Sequence, residues 1–185
     1  GNAFKEKREF ALALESYKKA VQINPSFIDA ISNTAIVYDI MNNFSKAEMY
    51  FKKAVSLNPN NTSLLYNLSN CLYNSKDYKR AIDVCKNIID LDPSFYYAYN
   101  RMGMCCIKLE IEDEAKKLFE KSIDINPDYA EGLTNYGLIL QKSRNFALAS
   151  AQFEKVVSIN PESYEALVNL SKAYFDEGRL SKSIE

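Results

Sequence analysis

Five prolines divide this chain at equal intervals. Pro25, Pro59, Pro93, Pro127 and Pro161 are its only prolines, each 34 residues after the last. Proline has no backbone N–H to donate and disfavours helix at the residue before it, so each one closes a helix. Other positions keep the same beat. Ala13, Ala47, Ala81, Ala115 and Ala149 stand twelve residues before the prolines, and Tyr17, Phe51, Cys85, Phe119 and Phe153 stand eight before. Asn24, Asn58, Asp92, Asn126 and Asn160 immediately precede them. A fixed period of about 20 to 50 residues marks a repeat architecture, in which no single unit buries its own apolar face.

Between prolines lie two stretches with apolar residues at i, i+3, i+4 and i+7, the spacing of an amphipathic helix. Within 62–95, Leu65, Leu68 and Leu72 form one stripe, and Ala81, Cys85 and Ile88 the other. With proline as position 32, position 8 holds Gly1, Ala35, Ser69, Gly103, Gly137 and Ser171. Small residues there and at position 20 let two helix backbones approach closely. Ser26, Asn60, Asn61, Thr62 and Ser94, just after the prolines, offer side-chain oxygens to cap the next helix. Position 17 holds Phe10, Phe44, Tyr78, Phe146 and Leu180 but Glu112 in one repeat. That inter-helix turn is expected to pack less well, with Ile111 as substitute.

This pattern resembles the tetratricopeptide repeat: W-x-x-L-G-x-x-Y, then A-x-x-x-F, then P within 34 residues. Position 4 carries Ile31, Leu65, Tyr99, Leu133 and Leu167, and position 11 carries Phe4, Tyr38, Leu72, Cys106, Leu140 and Tyr174. The resemblance covers the whole chain as one array. It comprises a partial repeat at 1–27, complete repeats at 28–61, 62–95, 96–129 and 130–163, and a partial repeat at 164–185. It implies an all-α fold, a right-handed superhelical solenoid of antiparallel helix pairs. Because the chain starts inside a first helix and stops at Glu185 inside a second, with no polar capping helix, it reads as a piece of a longer protein.

Composition narrows the function classes. The 185 residues carry 23 Lys+Arg against 24 Asp+Glu, a net charge of -1, so nothing favours a nucleic-acid partner held through phosphates. No apolar run approaches the roughly 18 residues that suggest a membrane span, and no membrane partner is expected. The chain has no His, the commonest general base and metal ligand, so a self-contained His-dependent enzyme is excluded. No phosphate-cradling glycine loop, G-x-S-x-G or H-E-x-x-H is present. No enzyme activity and no cofactor are expected of this segment. Cys71, Cys85, Cys105 and Cys106, spaced by 14, 20 and 1, match no zinc pattern and read as small core fillers. Unpaired thiols suit a cytoplasmic or other reducing compartment.

What remains is a surface. In such an array, first-helix positions 2, 5, 6, 9, 12 and 13 face the concave side. Position 6 reads Asn33, Asn67, Arg101, Asn135 and Asn169. The resemblance implies a peptide groove here, and the asparagine series is similar to the ladder of O-GlcNAc transferases, whose amides pair with the backbone of an extended peptide. Four rungs at ~0.5–1.5 kcal/mol each do not offset an association cost of ~4–15 kcal/mol, so anchors are needed too. Candidates on the same face are Tyr66, Asn70, Tyr73, Tyr97, Met104 and Leu138, with Ile36, Ile107 and Phe175. The carboxylate clamp of heat-shock co-chaperone repeats does not fit: one frame keeps only Asn67 and Arg101, and the next puts Glu131 where a carboxylate would be repelled. The expected role is a protein-interaction scaffold that takes an extended peptide or partner helix. Alternatives are the substrate-recruiting region of an O-GlcNAc transferase-like enzyme and a structural assembly module, with end-to-end self-association as one partner mode.

Overall fold

The computed structural model describes residues 1–178, and in them the chain is all-helical. Leu180 and Glu185, used above, lie outside the described residues. Eleven helices occur there: α1 (Asn2–Glu6), α2 (Phe10–Ile23), α3 (Ile28–Ile40), α4 (Phe44–Leu57), α5 (Thr62–Asn74), α6 (Tyr78–Leu91), α7 (Tyr96–Lys108), α8 (Glu112–Ile125), α9 (Ala130–Lys142), α10 (Phe146–Ile159) and α11 (Tyr164–Glu177). They form two compact units, Gly1–Pro93 and Ser94–Glu185. In the first, α2 packs on α3, α4 on both α3 and α5, and α3 also touches α5. In the second, α8 packs on both α7 and α9, α10 on both α9 and α11, and α7 also touches α9. Each unit is thus a stack of antiparallel helix hairpins, with α4 wedged between α3 and α5 in the first, and α8 between α7 and α9 and α10 between α9 and α11 in the second.

The periodic residues are the core. Ala13, Ala47, Ala81, Ala115 and Ala149 are all fully buried, and Phe51, Cys85, Phe119 and Phe153 nearly so. In two hairpins a glycine at position 8 lies directly against the aromatic ring at position 24. A Cβ on Gly103 would lie 2.6 Å from the Phe119 ring, and one on Gly137 would lie 2.7 Å from the Phe153 ring. The aromatic ring occupies the space a side chain would take. Where position 24 shrinks to Cys85, position 8 is Ser69, also fully buried.

The turn inside each hairpin carries a feature that residue types do not announce. Position 15 is left-handed in every repeat: Arg8, Asn42, Lys76, Glu110 and Arg144 have φ between 57° and 67°, and Gly178 has φ 82°. The next amide then reaches back five residues, as in Asn43 N to Tyr38 O (2.8 Å), Asp77 N to Leu72 O (2.9 Å) and Asn145 N to Leu140 O (2.9 Å). This closes a Schellman motif, which satisfies the last carbonyls of the first helix. A left-handed residue with a Cβ costs roughly 1–2 kcal/mol and glycine escapes most of it. Lys76→Gly, at an exposed site, is therefore expected to raise stability by about 0.5–1 kcal/mol. An unchanged or lower urea midpoint would contradict it.

Capping differs from the expectation in part. Asn61 accepts from Leu64 N at 3.0 Å, and Ser163 from Ala166 N at 3.3 Å. The N-cap positions of α3 and α7 are Phe27 and Phe95, one residue after Ser26 and Ser94. The asparagine before proline instead closes the turn: Asn24 Oδ1 accepts from Ser26 N at 3.0 Å and Asn126 Oδ1 from Asp128 N at 3.2 Å. Ile111 does not substitute for the missing apolar residue at position 17. It is the N-cap of α8, 48% exposed, and Glu112 instead pairs with Lys142 of α9. Glu112, Asp113 and Glu114 fill the first turn of α8, where the helix dipole favours negative charge.

Candidate functional site

Two clefts open between the first helices of successive repeats, one in each unit. The cleft of the first unit, about 510 Å³, is lined by residues of α1, α2 and α3 that include Asn2, Tyr17, Asp29 and Asn33. That of the second unit, about 290 Å³, lies among α9, α10 and α11 and includes Glu131, Asn135, Leu138, Val156 and Glu165. They share a position-9 side chain of the preceding first helix (Asn2, Leu138), an acid at position 2 of the following one (Asp29, Glu165) and a position-27 residue (Ala20, Val156), whereas the position-6 asparagine comes from the following helix in the first cleft (Asn33) and from the preceding helix in the second (Asn135). Of the expected inner row, Asn33, Asn135 and Leu138 therefore line a cleft. Asn67, Arg101, Asn169, Tyr66, Asn70, Tyr73, Tyr97 and Met104 do not line either one. Leu138 and Tyr97 are exposed, and the other nine are half-buried.

The asparagine series is not uniformly open. Asn33 Oδ1 accepts from Lys5 Nζ at 2.7 Å. Asn135 Nδ2 donates to Asn100 Oδ1 at 2.9 Å. Arg101 points a guanidinium N–H at the Met104 sulfur, 3.7 Å away. Asn67 and Asn169 make no side-chain hydrogen bond among the described residues. Asn70 Oδ1 is buried and unsatisfied. Tyr73 tilts against Tyr78, with ring centroids 5.5 Å apart, and Tyr97 sits in a cluster with Phe95, Tyr96 and Tyr129.

Beside that cluster is a polar group that periodicity does not reveal. Asn100 is fully buried. Its Nδ2 donates to Tyr129 Oη and to Glu131 Oε1, both at 3.1 Å, while Tyr129 Oη donates to Glu131 Oε2 at 2.9 Å. With Asn135 donating to its oxygen, Asn100 is satisfied on both sides of its amide. Buried polar groups of this kind are stable only when fully bonded, and Asn100 thereby fixes the Glu131 carboxylate at the mouth of the second cleft. Position 5 elsewhere holds Ser32, Tyr66, Thr134 and Val168, so the repeat pattern carried no signal for it.

All four cysteines are free and buried in the core. Burial, then the nearby Asp39, pushes the Cys71 thiol up to about 12, so it stays protonated and a poor nucleophile at neutral pH. Its Sγ donates to Phe44 O at 3.8 Å. Burial likewise raises the Asp39 carboxyl, against the opposing pull of the Asn74 amide at 2.9 Å. No helix among the described residues is long and apolar enough to cross a membrane.

Comparison with known proteins decides the family. Residues 1–27 and 135–185 match family models described as tetratricopeptide repeat, and 40–122 match that of anaphase-promoting complex, cyclosome, subunit 3. The chain belongs to the tetratricopeptide repeat family. A comparison with curated protein sequences finds no match. Among solved structures, this tetratricopeptide chain is similar to PilW, described as a widely conserved type IV pilus biogenesis factor, with TM-score 0.83 and 17% identity over 98% of this chain and 84% of that one. PilF of Pseudomonas aeruginosa gives TM-score 0.82 and 21% identity over 99% and 85%. YrrB, described as a TPR protein with an unusual peptide-binding site, gives TM-score 0.65 and 25% identity over 90% and 86%. The architecture is that of a tetratricopeptide interaction scaffold.

Proposed function

We propose that this chain is a non-catalytic protein-interaction scaffold that binds an extended peptide or partner helix along the inner faces of its first helices. One observation supports this most directly: each unit opens a cleft between the first helices of successive repeats, and a position-6 asparagine lines each, Asn33 from the following helix in one and Asn135 from the preceding helix in the other. Neighbouring helices lie ~8–10 Å apart and an extended chain advances ~3.3 Å per residue, so successive first helices meet a peptide about every third residue. In this reading Asn67 and Asn169 bond to peptide backbone, Arg101 adds charge, and Tyr66, Tyr73, Tyr97, Met104 and Leu138 supply apolar contact. The likeness to YrrB and its peptide-binding site points the same way.

The test begins with pull-down on the intact chain and mass spectrometry. A labelled synthetic segment of the captured partner is then titrated by fluorescence anisotropy. Asn67→Ala is expected to weaken binding about two- to tenfold, the equivalent of one hydrogen bond, with an unchanged melting temperature. Undiminished binding would reject the rung assignment. Asn135→Ala is a poorer probe, because it also strips the buried Asn100 oxygen of its donor.

A second reading, a module for subunit assembly, is favoured by the match of 40–122 to the model of a subunit of a multi-protein complex. There the captured partner would be a folded protein, and no short segment of it would bind alone.

A further inference from the structure

The charge of the second cleft is one-sided. Glu131 and Glu165 both line it, and among the described residues no lysine or arginine does. Its remaining wall combines neutral polar groups such as Asn135 with the apolar side chains of Leu138, Val156 and Ala166. At about 290 Å³ it falls at the lower edge of the ~300–1,000 Å³ typical of small-molecule sites, a size suited to one side chain rather than a whole ligand. The two carboxylates differ in how they are held. Glu131 is fixed by Asn100 and Tyr129, at 3.1 and 2.9 Å, before any partner arrives. Glu165, on α11, is exposed and makes no side-chain hydrogen bond or ion pair among the described residues.

We propose that this cleft takes one cationic side chain, lysine or arginine, from a bound peptide, with the charged head between Glu131 and Glu165. The proposal rests on the inner face being a peptide surface and names the chemistry of what that surface selects. The match is physical at both ends of the side chain. A lysine or arginine carries an aliphatic stem that packs along apolar surface while its head stays in polar surroundings, and the lining offers both, in Leu138, Val156 and Ala166 and in the two glutamates. Preorganisation matters too, since a carboxylate already held by neighbours loses little freedom on binding. An anionic or C-terminal carboxylate group meets two like charges and, among the described lining residues, no cation.

Five acetylated, amidated pentapeptides, Ala-Ala-X-Ala-Ala with X as arginine, lysine, citrulline, norleucine or glutamate, titrated into the intact ¹⁵N-labelled chain, test this by two-dimensional NMR. The arginine and lysine peptides are expected to shift the Asn135 side-chain amide and the Leu138 and Ala166 backbone amides saturably. The citrulline peptide, the same shape without charge, is expected to bind about fivefold more weakly, the scale of a partly exposed ion pair. Glu165→Gln should remove that preference while leaving the citrulline affinity and the fold unchanged, because Glu165 supports no other group. Glu131→Gln should do the same with some loss of stability. Equal binding of the arginine and citrulline peptides in the cleft would overturn charge selection and leave the peptide reading standing. Tightest binding of the glutamate peptide, or arginine-peptide shifts only outside the cleft, would also overturn it. If no peptide perturbs the cleft at millimolar concentration, both the cationic site and the peptide surface beneath it fall.

Discussion

Phe153→Ala is expected to cost about 3–5 kcal/mol, the range for emptying a large aromatic site in a packed core. Phe153 is fully buried at position 24 of its repeat, and its ring fills the space over Gly137 where a Cβ would stand 2.7 Å away. The opposing position is a glycine, which has no side chain to extend into the hole. Cys85→Ala, at the equivalent position of another hairpin, removes one sulfur and should cost about 1 kcal/mol. Urea unfolding followed by circular dichroism separates the two. Stability in a stacked array is a sum of local and nearest-neighbour contributions, so the Phe153 variant is also expected to show an early transition in the second unit. A loss below about 1.5 kcal/mol would mean that this ring does not space the hairpin.

Asn100→Ala is expected to cost about 1–3 kcal/mol, because a fully buried amide is emptied and its hydrogen bonds to the half-buried Tyr129 and Asn135 and to Glu131 are lost. Asn135 would lose its acceptor, and Tyr129 and Glu131 would each lose a donor. Asn100→Asp checks the cause. It keeps the shape but sets a second carboxylate beside Glu131 in a buried place, where desolvation and like charge both raise its pKa. A raised folded-state pKa means that stability is fully present below the unfolded value of about 3.9 and is lost as pH rises through the folded one. The Asp variant should therefore approach wild-type stability near pH 4 and fall behind it at pH 7. Parallel losses at both pH values would show that packing, not hydrogen bonding, explains the Asn100 effect.

The fold was legible because the proline spacing and the buried alanines report one repeated constraint: two helices that must touch at positions 8 and 20. Side chains that serve this contact recur every 34 residues, and composition alone could not hide them. The candidate site was legible only in part. Asn33 and Asn135 could be placed on the inner face, but their bonds to Lys5 and Asn100 depend on residues that do not recur from repeat to repeat. The left-handed residue at position 15 was invisible for a related reason. Backbone geometry recurs there while the residue type runs through arginine, asparagine, lysine, glutamate and glycine. Ile111 misled because its hydrophobicity suggested burial, whereas the start of α8 turns it toward solvent.

Arg8, Asn42, Lys76, Glu110 and Arg144 lie a full period apart, and none of them lines either cleft. Changes at sites this distant should add independently. Their tight bends thus amount to a row of separate dials, by which heat tolerance could be raised notch by notch while the surfaces offered to other molecules stay as they are.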